Sequence, residues 1–336
     1  MKIEKDKSLL NLNSFGLDVK AERFAEFCSE DELKQILNEL SDDENILILG
    51  GGSNILFTKD YKGIVLKNSI EGIKIENETN EYVLLKVGGG VIWDEFVKYC
   101  VEKGFGGTEN LSLIPGTVGA SPIQNIGAYG VELEDVFFSL EAIEIASQNK
   151  KIFNKDECGF GYRNSIFKNE LKNKYVITNV FFSLSKKPKL NYTYASLKNE
   201  IESLGRNKIT ITDIRKAVIK IRQSKLPDPD ETGNAGSFFK NPELDKKEFE
   251  KIQIEFPDIP FYEVGTKIKL PAAWLIDKSG LKGIKKGNVS TFPTQPLVII
   301  NNGQASGMDI WNFAMFIKEQ VYKKFKIELT PEVNII

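Results

Sequence analysis

Hydrophobic residues in the first part of the chain recur with two different spacings. Between Asp31 and Leu40 they lie three and four positions apart, the spacing of a helix with one buried face. The residues of that face are Leu33, Ile36, Leu37 and Leu40. Short apolar runs at 46–49 and 64–67 predict buried strands. Up to about residue 70, the chain therefore predicts a small unit of strands with one helix.

A second stretch of alternating elements begins near Glu71. Tyr82–Val87 predicts a strand that runs into three glycines, and a helical spacing follows it. The apolar face of that helix is formed by Trp93, Phe96, Val97, Cys100 and Val101. Gly104 ends the helix, so Cys100 is expected to be a small core residue. Further strands are predicted at 136–145 and 175–184.

The last third predicts a separate domain. Thr212 is a candidate cap for a helix that ends before the rigid turn at 226–230. A long helix is predicted at 308–325, and a final strand at 327–336 returns to the second domain. We expect a first subdomain at 1–70, a second at 71–212 with 326–336, and a third domain at 213–325.

Composition excludes several functional classes. The 336 residues carry 45 basic and 47 acidic side chains, a formal net charge of −2, which argues against nucleic-acid binding through bulk charge. No apolar run is long enough for a membrane span, and the charged N-terminus does not resemble a signal peptide. The three cysteines form no Cys-x-x-Cys pair, so a zinc site and a disulfide framework are not expected. We expect a cytoplasmic protein.

The chain contains no histidine. The usual acid–base residue near neutral pH and the commonest transition-metal ligand are therefore missing. Hydrolases that depend on Ser-His-Asp or Cys-His are excluded. Any proton transfer must use Ser, Tyr, Cys, Lys or a carboxyl group, and no metal is expected.

The stretch from Ile114 to Gly130 combines four glycines and two prolines with almost no charge. Glycine permits positive φ and close approach of a ligand to the backbone, and proline fixes the turns. Such a loop offers backbone N–H groups, which suit an anion such as a pyrophosphate. The alternative is a surface loop rich in turn residues, although exposed loops usually carry more charge.

A second glycine loop strengthens the prediction of a phosphate site. The strand at 46–49 runs directly into Gly50-Gly-Gly-Ser-Asn54. No Gly-Lys-Ser/Thr follows, which excludes a Walker loop. No Gly-x-Gly-x-x-Gly opens a helix after a strand, so a Rossmann domain lacks support.

Three side chains are candidates for chemistry. Arg163 lies in a polar turn, and its planar guanidinium suits a carboxylate, although a surface arginine is the plain alternative. Ser237 is expected on a tight turn beside an apolar wall, where it fits proton donation better than acylation because no base is evident. Glu332, near the chain end, would by itself be read as solvent-exposed.

Together these stretches closely resemble, over nearly the whole chain, UDP-N-acetylenolpyruvoylglucosamine reductases, flavoenzymes of peptidoglycan precursor synthesis. Each motif is modest alone, but they occur in family order. They are Asn13-Ser-Phe-Gly16, Gly50–Asn54, Ile114–Gly130, Gly161-Tyr-Arg163, Lys225–Pro229, Gly236–Pro242, Ala273–Asp277 and Pro331-Glu-Val333. The segment Leu190–Leu197 resembles the tyrosine-bearing loop of the longer form of the family.

The resemblance implies an α+β fold. It combines a two-part FAD-binding region of the vanillyl-alcohol-oxidase/PCMH type with an α+β substrate-binding domain. FAD is expected to be bound noncovalently, with NADPH as a transient reductant. The implied reaction reduces the enolpyruvyl ether of UDP-N-acetylglucosamine-enolpyruvate to UDP-N-acetylmuramate: hydride reaches the β-carbon and a proton the α-carbon. A monomer is expected.

The resemblance also implies roles for individual residues. The catalytic residues are Arg163 as electrostatic stabiliser, Ser237 as proton donor and Glu332 as third member. The cofactor-binding residues are Gly50, Gly51, Gly52, Ser53, Asn54, Ile114, Pro115, Gly116, Gly119, Ala120, Ser121, Ile123, Asn125, Gly127 and Arg222. The substrate-binding residues are Tyr129, Tyr194, Lys225, Asn241 and Gln295.

Some details depart from the family or remain open. Ala120 stands where the family often has Ser, but the backbone should carry most of the FAD binding. Glu332 is expected to be protonated in the complex or compensated by Arg163, and the loop of Tyr194 is expected to close over the nucleotide. The alternatives are a flavin-dependent oxidase of the same fold acting on an alcohol or 2-hydroxy acid, and a non-catalytic nucleotide-binding or flavin-storage module.

Overall fold

The computed structural model describes residues 2–41 and 43–336. The chain divides into two compact units, each built from separate segments. The first unit comprises Met1–Lys7, Lys20–Gly52 and Tyr61–Ser224, and the second comprises Ser8–Val19, Ser53–Asp60 and Lys225–Ile336. One of the boundaries falls inside the first glycine loop, between Gly52 and Ser53.

Serine side chains cap the first amides of the first and last helices. Ser29 accepts a hydrogen bond from the amide of Glu32 before the first helix, and Ser306 accepts one from Asp309 before the last. The α-helices are α1 (Glu30–Asn38), α2 (Trp93–Glu102), α3 (Ala195–Glu202), α4 (Ile211–Lys225), α5 (Lys246–Glu255), α6 (Ala272–Lys278) and α7 (Gly307–Phe325). Short 3-10 helices are Leu10–Leu12, Glu109–Leu111, Val118–Gln124, Leu133–Asp135, Asp156–Cys158 and Ile166–Lys168.

The strands range from two residues to the eleven of Tyr175–Ser185, and the longer buried ones are rich in β-branched or aromatic residues. In chain order they are β1 (Glu4–Ser8), β2 (Lys20–Phe27), β3 (Ile46–Leu49), β4 (Ile55–Leu56), β5 (Tyr61–Asn68), β6 (Ile73–Glu78), β7 (Tyr82–Gly88), β8 (Gly127–Ala128), β9 (Val131–Glu132), β10 (Phe137–Glu144), β11 (Lys150–Asn154), β12 (Tyr175–Ser185), β13 (Asn234–Ser237), β14 (Glu243–Asp245), β15 (Tyr262–Val264), β16 (Lys267–Lys269), β17 (Lys285–Lys286), β18 (Val289–Thr291), β19 (Val298–Asn301) and β20 (Asn334–Ile335).

The first unit contains two larger sheets. One has the strand order β1-β2-β5-β3, with β2 and β3 parallel to β5, and α1 packs on it through Leu33, Ile36 and Leu37. The other is antiparallel, with the order β11-β10-β12-β7-β6. Its buried face packs against α2, whose Trp93 and Phe96 rings both contact Phe182 of β12. Cys100 is fully buried there, as the sequence predicts.

The second unit is built around the long helix α7. Its sheets have the orders β13-β19-β18-β17 and β14-β16-β15, both antiparallel. Buried residues of α7, among them Ile310, Phe313 and Ile317, share one core with Phe238 and Phe239. The early residues Phe15, Leu17 and Leu56 join this core, which is why their segments group with the C-terminal part of the chain.

The C-terminal residues differ from the sequence prediction. Only Asn334–Ile335 forms a strand, and it pairs in parallel with Ile55–Leu56. Residues 326–336 belong to the second unit, with Ile327, Leu329 and Val333 in its core. Their assignment to a second FAD-binding subdomain with 71–212 stays a prediction. The sequence indicated a strand here but not that it pairs with Ile55–Leu56. The further division of 1–212 at residue 70 stays a prediction.

The start of α4 also differs. The helix begins at Ile211, so Thr212 lies inside it. Thr210 and Asp213 exchange hydrogen bonds: the Thr210 amide donates to Asp213 Oδ2 at 3.0 Å, and the Asp213 amide donates to Thr210 Oγ1 at 3.3 Å. The helix up to Ser224 belongs to the first unit, where its face at Ile214 and Val218 packs with Leu197 and Ile201 of α3. The last segment of the second unit starts at Lys225. A third domain that begins at residue 213 stays a prediction.

Candidate functional site

The two glycine loops lie against each other inside the first unit. A Cβ atom on Gly51 would lie 2.9 Å from Gly116 Cα, and one on Gly50 would lie 2.5 Å from Thr117 Oγ1. Both distances are shorter than real Cβ contacts. Position 51 requires glycine because the close atom is backbone, whereas at position 50 the Thr117 side chain would have to move. Gly52 has φ of +63°, which also favours glycine. The two loops that sequence reasoning linked through one ligand therefore form one backbone surface.

The second loop is more regular than predicted. Val118–Gln124 forms a 3-10 helix that ends at Asn125 with φ of 44°. Several of its amides already donate within the chain: Val118 to Val91 O at 2.9 Å, Gly119 to Gly89 O at 2.8 Å and Ala120 to Thr117 O at 3.1 Å. The expectation that the loop presents bare amides throughout is wrong at these positions. It stays a prediction that Gly119 and Ala120 help to bind the cofactor by letting it approach their backbone closely.

Asn125 fixes the far end of this loop. Its fully buried side chain donates to Glu132 Oε2 at 2.7 Å and accepts from the amide of Glu134 at 3.0 Å. Nearby, Ser121 Oγ donates to Val118 O at 2.7 Å. Ser121 is 2% exposed, so its hydroxyl serves the loop itself. These contacts hold the loop in one shape before any ligand arrives.

Four buried polar atoms in this unit have no hydrogen-bond partner among residues 2–41 and 43–336. They are Thr108 Oγ1, Thr117 Oγ1 beside Gly50, Ser196 Oγ and Arg222 Nε. Unsatisfied buried donors are costly unless a ligand or water completes them. Thr117 Oγ1 and Arg222 Nε, together with a glycine loop that has no room for a Cβ atom at position 51, fit a bound cofactor that contains a diphosphate. Ile114, Pro115, Gly116, Ile123 and Gly127 line the same loop, so the residues present fit FAD.

Arg163 is held in an unusual backbone conformation. Its φ is 51°, the left-handed region, inside a turn closed by the Gly161 and Asn164 backbones. The guanidinium Nη2 donates to Gly127 O at 2.6 Å, and a Cβ on Gly127 would lie 3.0 Å from Nη1. A non-glycine residue in this region costs energy that the surrounding contacts must offset. In this conformation the guanidinium of Arg163 lies against Gly127, at the end of the glycine loop.

A second arginine and two tyrosines lie in the same unit. The Tyr129 and Tyr194 rings meet edge-on, with centroids 5.6 Å apart. Burial raises the pKa of Tyr129, opposed by the charge of Arg222. Burial lowers the pKa of the Arg222 guanidinium, Tyr129 and Asp94 act in the opposite direction, and the charge of Arg163 lowers it further. Arg222 nevertheless stays a cation in proteins, and a buried cation here favours an anionic ligand.

An ion pair that sequence reasoning missed supports the start of the second loop. Asp94 of α2 accepts two hydrogen bonds from Arg215 of α4, at 2.6 and 2.8 Å. It also accepts one from the Leu113 amide at 2.5 Å, and Leu113 has φ of 58°. Burial acts to raise the pKa of Asp94, but these hydrogen bonds outweigh it and lower the pKa. Nothing in the sequence marks this pair, because a charged residue on a predicted helix reads as a solvated face.

In the second unit, Ser237 and Glu332 are brought close along the backbone. Ser237 ends strand β13 rather than lying in the predicted tight turn, although the preceding Gly236 has φ of +66°. The Glu332 amide donates to Phe238 O at 2.8 Å, and the Lys240 amide donates to Thr330 O at 2.9 Å. The predicted apolar wall is present, since Phe238 and Phe239 are buried. Both candidate side chains are partly buried.

Asn54 also belongs to this unit and contacts the same segment. Its Nδ2 donates to Glu332 O at 3.4 Å, and its carbonyl accepts hydrogen bonds from Asn334. Ser53 precedes it in the same unit. Asn54, at the polar end of the first glycine loop, is therefore hydrogen-bonded to the segment that carries Glu332.

The predicted nucleotide ligands of this unit have structural contacts as well. The Lys225 carbonyl accepts from Thr294 Oγ1 at 3.1 Å, next to Gln295, while the Lys225 side chain is exposed. Asn241 Oδ1 accepts from the Ala272 amide at the start of α6, at 2.9 Å. Gln295 lies in the turn before β19, where its carbonyl accepts from Val298 at 3.0 Å. The binding roles of Lys225, Asn241 and Gln295 stay predictions.

The candidate residues therefore fall into two groups. The first unit holds Gly50, Gly51, Gly52, Ile114, Pro115, Gly116, Gly119, Ala120, Ser121, Ile123, Asn125, Gly127, Tyr129, Arg163, Tyr194 and Arg222. The second unit holds Ser53, Asn54, Lys225, Ser237, Asn241, Gln295 and Glu332. Within the described residues there is no group of three or more His, Cys, Asp or Glu side chains that could hold a metal ion. A search of the same residues finds no helix with the length and apolar character needed to span a membrane.

Both halves of the chain match known families. Residues 21–147 match the family described as "FAD binding domain". Residues 228–336 match the family described as "UDP-N-acetylenolpyruvoylglucosamine reductase, C-terminal domain". These matches confirm the predicted FAD-binding region and the added α+β domain.

Relatives match over the full length. The UDP-N-acetylenolpyruvoylglucosamine reductase of Flavobacterium johnsoniae is 45% identical over 338 residues, covering 100% of both chains. That of Amoebophilus asiaticus is 46% identical with the same coverage. That of Pseudomonas aeruginosa is 40% identical, covering 100% of this chain and 99% of its own. Among solved structures, the UDP-N-acetylenolpyruvylglucosamine reductase from Thermus caldophilus superposes with a TM-score of 0.70 at 21% identity, covering 100% of this chain and 99% of its own, which shows the same fold.

Proposed function

The chain belongs to the UDP-N-acetylenolpyruvoylglucosamine reductase family, and we propose that it reduces the enolpyruvyl ether of UDP-N-acetylglucosamine-enolpyruvate to UDP-N-acetylmuramate. It is an FAD-dependent oxidoreductase that uses NADPH and acts in peptidoglycan precursor synthesis. The observation that carries the proposal is identity of 40–46% to such reductases over the whole chain. We further propose that it acts in the cytoplasm, where NADPH is available, and as a monomer.

The first unit supplies the proposed cofactor site. The paired glycine loops at 50–52 and 114–127 would hold FAD noncovalently, with Thr117 Oγ1 and Arg222 Nε as unsatisfied donors for its diphosphate. When bound, FAD supplies hydride chemistry, which no side chain can provide. A covalent link through histidine is impossible because the chain has none.

Arg163 is proposed to stabilise the charge that develops on the substrate. Hydride addition to the β-carbon of an enolpyruvyl group places negative charge on the α-carbon and its carboxylate. A fixed guanidinium lowers the energy of that state more than the energy of the starting ether. The contact with Gly127 O leaves Arg163 oriented before substrate binds, so little reorganisation is needed.

Ser237 is proposed to protonate the α-carbon, and Glu332 to assist it. A serine hydroxyl is a weak acid, but the enolate-like species it meets is strongly basic. Because the Glu332 backbone bonds to Phe238, the carboxyl-bearing segment is fixed beside the strand that carries the serine. The earlier expectation that Glu332 is protonated or compensated by Arg163 in the complex is kept as part of this proposal.

The remaining residues are proposed to bind the nucleotide sugar. Lys225 offers an exposed point charge for the substrate diphosphate. Asn241 and Gln295 offer amides, and Tyr129 and Tyr194 offer paired rings. Closure of the Tyr194 loop over the nucleotide belongs to the same proposal.

The experiment separates the two half-reactions. The purified protein should be yellow with flavin absorbance, and NADPH oxidation should continue only while the enolpyruvyl substrate is present. Ser237→Ala should slow substrate reduction by about 10²–10⁴-fold while FAD reduction by NADPH is preserved. Ser279→Ala, another serine of the second unit whose hydroxyl donates to Leu275 O, serves as the matched control. If both half-reactions fell together in Ser237→Ala, the assigned role would be wrong.

An oxidase acting on an alcohol or 2-hydroxy acid is not favoured. The three relatives described above are reductases. An oxidase also needs a base to take a proton from its substrate, and histidine is absent. A colourless protein that takes up no FAD would instead support a plain nucleotide-sugar binder.

A further inference from the structure

Asn110 is a buried polar residue to which the proposed function gives no role. It lies at the centre of the 3-10 helix Glu109–Leu111 and is 1% exposed. Its side-chain amide nitrogen donates two hydrogen bonds, to Tyr129 O at 3.0 Å and to Asn191 O at 2.8 Å. Both amide hydrogens are therefore used on two segments that are far apart in sequence.

Those two segments carry the pair of tyrosines proposed to bind substrate. Tyr129 is itself one of the acceptors, and Tyr194 follows Asn191 by three residues. The two rings meet with centroids 5.6 Å apart at an interplanar angle of 86°. The backbone positions that Asn110 fixes are thus the ones that set the relation between the rings.

A second contact closes the same junction from the other side. Asn191 Nδ2 donates to Gly130 O at 3.1 Å, and Asn191 Oδ1 accepts from Thr193 Oγ1 at 3.0 Å. Tyr129 and Gly130 both have positive φ, 51° and 79°. A turn that holds tyrosine in the left-handed region persists only when neighbouring contacts determine it. Asn110 and Asn191 supply such contacts.

Asn110 also stands on a rigid base. Trp93 Nε1 donates to Leu111 O at 2.9 Å, and Ser112 Oγ donates to Glu109 O at 2.6 Å. Glu109 Oε2 accepts from the Gly107 amide at 2.6 Å. Side chains that orient a binding group are effective when they are themselves held in place.

We infer that Asn110 is a positioning residue for substrate: it joins the Tyr129 turn to the Tyr194 segment and so sets the tyrosine pair that receives the nucleotide part. The inference rests on the proposed function, because it takes the two tyrosines as substrate ligands. Asn110 acts through them and does not itself touch the reacting atoms.

The main test is Asn110→Asp in the FAD-loaded protein. The change keeps the shape but replaces two donors with an acceptor facing two carbonyl oxygens, which breaks both links. We expect KM for the enolpyruvyl substrate to rise about tenfold, corresponding to about 1.4 kcal/mol. The flavin spectrum, the FAD content and the rate of flavin reduction by NADPH should be preserved, and kcat should change much less than KM.

A double-mutant cycle shows whether the effect passes through the tyrosines. Tyr194→Ala should raise KM by itself, and adding Asn110→Asp to it should raise KM little further, because the loop no longer carries a ring to position. Fully additive effects would overturn the inference.

Two further variants keep the test decisive. Asn13→Asp is the matched control: Asn13 is buried in the second unit, and its Nδ2 donates to Leu9 O and Leu17 O at 2.8 and 2.9 Å. Asn13→Asp should lower the melting temperature without raising KM.

Asn191→Ala removes the hydrogen bond from Asn191 Nδ2 to Gly130 O and should also raise KM, by a smaller factor than Asn110→Asp. It decides the question if Asn110→Asp does not fold.

The outcomes separate this inference from the proposed function. A wild-type protein with no substrate-dependent NADPH oxidation would overturn the proposed function and this inference together. An active wild type, with KM unchanged in both Asn110→Asp and Asn191→Ala, would overturn the inference alone. So would an equal rise of KM in Asn13→Asp, since the effect would then be a general loss of stability.

Discussion

The glycine-loop region of the first unit and the Ser237–Glu332 region of the second place their candidate groups in different ways. In the first, the backbone of Gly116 leaves no room for a side chain at position 51, the Thr117 side chain crowds position 50, and Arg163 donates to Gly127 O. In the second, backbone hydrogen bonds join two extended segments, and these bonds do not depend on which side chains the segments carry. Changes in the first region should therefore affect cofactor binding, and changes in the second should affect turnover with the cofactor in place.

Arg163 is the strongest test of that contrast, because it contacts the glycine loop and is also proposed to act in turnover. Arg163→Met removes the cation and the hydrogen bond to Gly127 O. We expect kcat to fall about 10²–10³-fold, as for other electrostatic stabilisers, and FAD to be retained less well. Ser237→Ala should reduce turnover with FAD retention unchanged. Stopped-flow kinetics and flavin absorbance after gel filtration measure the two effects. Arg163→Met with full FAD retention would contradict the role of its loop contact.

Gly51→Ala is expected to have the next largest effect. The new Cβ would lie 2.9 Å from Gly116 Cα, a backbone atom that cannot rotate away. Overpacking of this kind costs about 1–3 kcal/mol, so the Kd for FAD should rise roughly 5–150-fold. Gly205→Ala is the control for the clash, because a Cβ there meets nothing within 4 Å; unlike Gly51, Gly205 has a positive φ. That variant should lose some stability and keep its FAD affinity. Equal FAD affinities in both variants would refute the packing argument.

Asp94→Asn should have a moderate effect in the first region only. It weakens the bidentate contact with Arg215, while the bond from the Leu113 amide can remain. We expect about 1–2 kcal/mol of lost stability and a several-fold weaker FAD affinity. Glu202→Gln, at an exposed pair with Lys198, should cost less than about 0.5 kcal/mol. Urea unfolding and flavin titration measure both variants; an effect of Asp94→Asn as small as that of Glu202→Gln would contradict this account.

Acid sensitivity gives the smallest expected effect. Burial acts to raise the pKa of Asp94, but Arg215 and the Leu113 amide lower it on balance. A carboxyl whose pKa is lower in the folded state stabilises the fold above its unfolded pKa, about 3.9. That contribution is lost as the pH falls through the folded value. The stability difference between wild type and Asp94→Asn should therefore shrink between about pH 5 and the folded pKa, as measured by urea unfolding. A difference independent of pH in that range would exclude the linkage.

The helices and strands with a clear period were predictable from the sequence. The face of α1 and the face of α2 were identified by apolar residues three and four apart, and both faces are buried. The cap of α4 was misplaced, although Thr210-Ile-Thr-Asp213 has the spacing of a capping box and could have identified Thr210. Periodicity gives the buried face of an element but not its partner. For that reason the sequence does not predict that α4 up to Ser224 groups with the first unit and residues 326–336 with the second.

The site was predictable where glycine is needed and not where charges cooperate. Gly50 and Gly51 stand out because three glycines in a row after a strand are rare, and the structure shows why position 51 requires glycine. Asp94, Arg215 and Asn110 act through contacts between residues distant in sequence, and no local spacing marks them. Nor does the sequence show that amides such as Gly119 are already satisfied. Such contacts exist only after folding, so a single chain without its structure does not report them.

Segments of the two units alternate along the chain, and this order has a consequence for synthesis on the ribosome. Segments 8–19 and 53–60 leave the exit tunnel early, but the core that receives Phe15, Leu17 and Leu56 consists mostly of residues after 225. Because chains begin to fold from the N-terminal end while still being made, these early apolar side chains must wait for most of translation to be completed. Newly made, unfinished chains should therefore be good clients for chaperones, and no single cut can release either unit as an intact fragment.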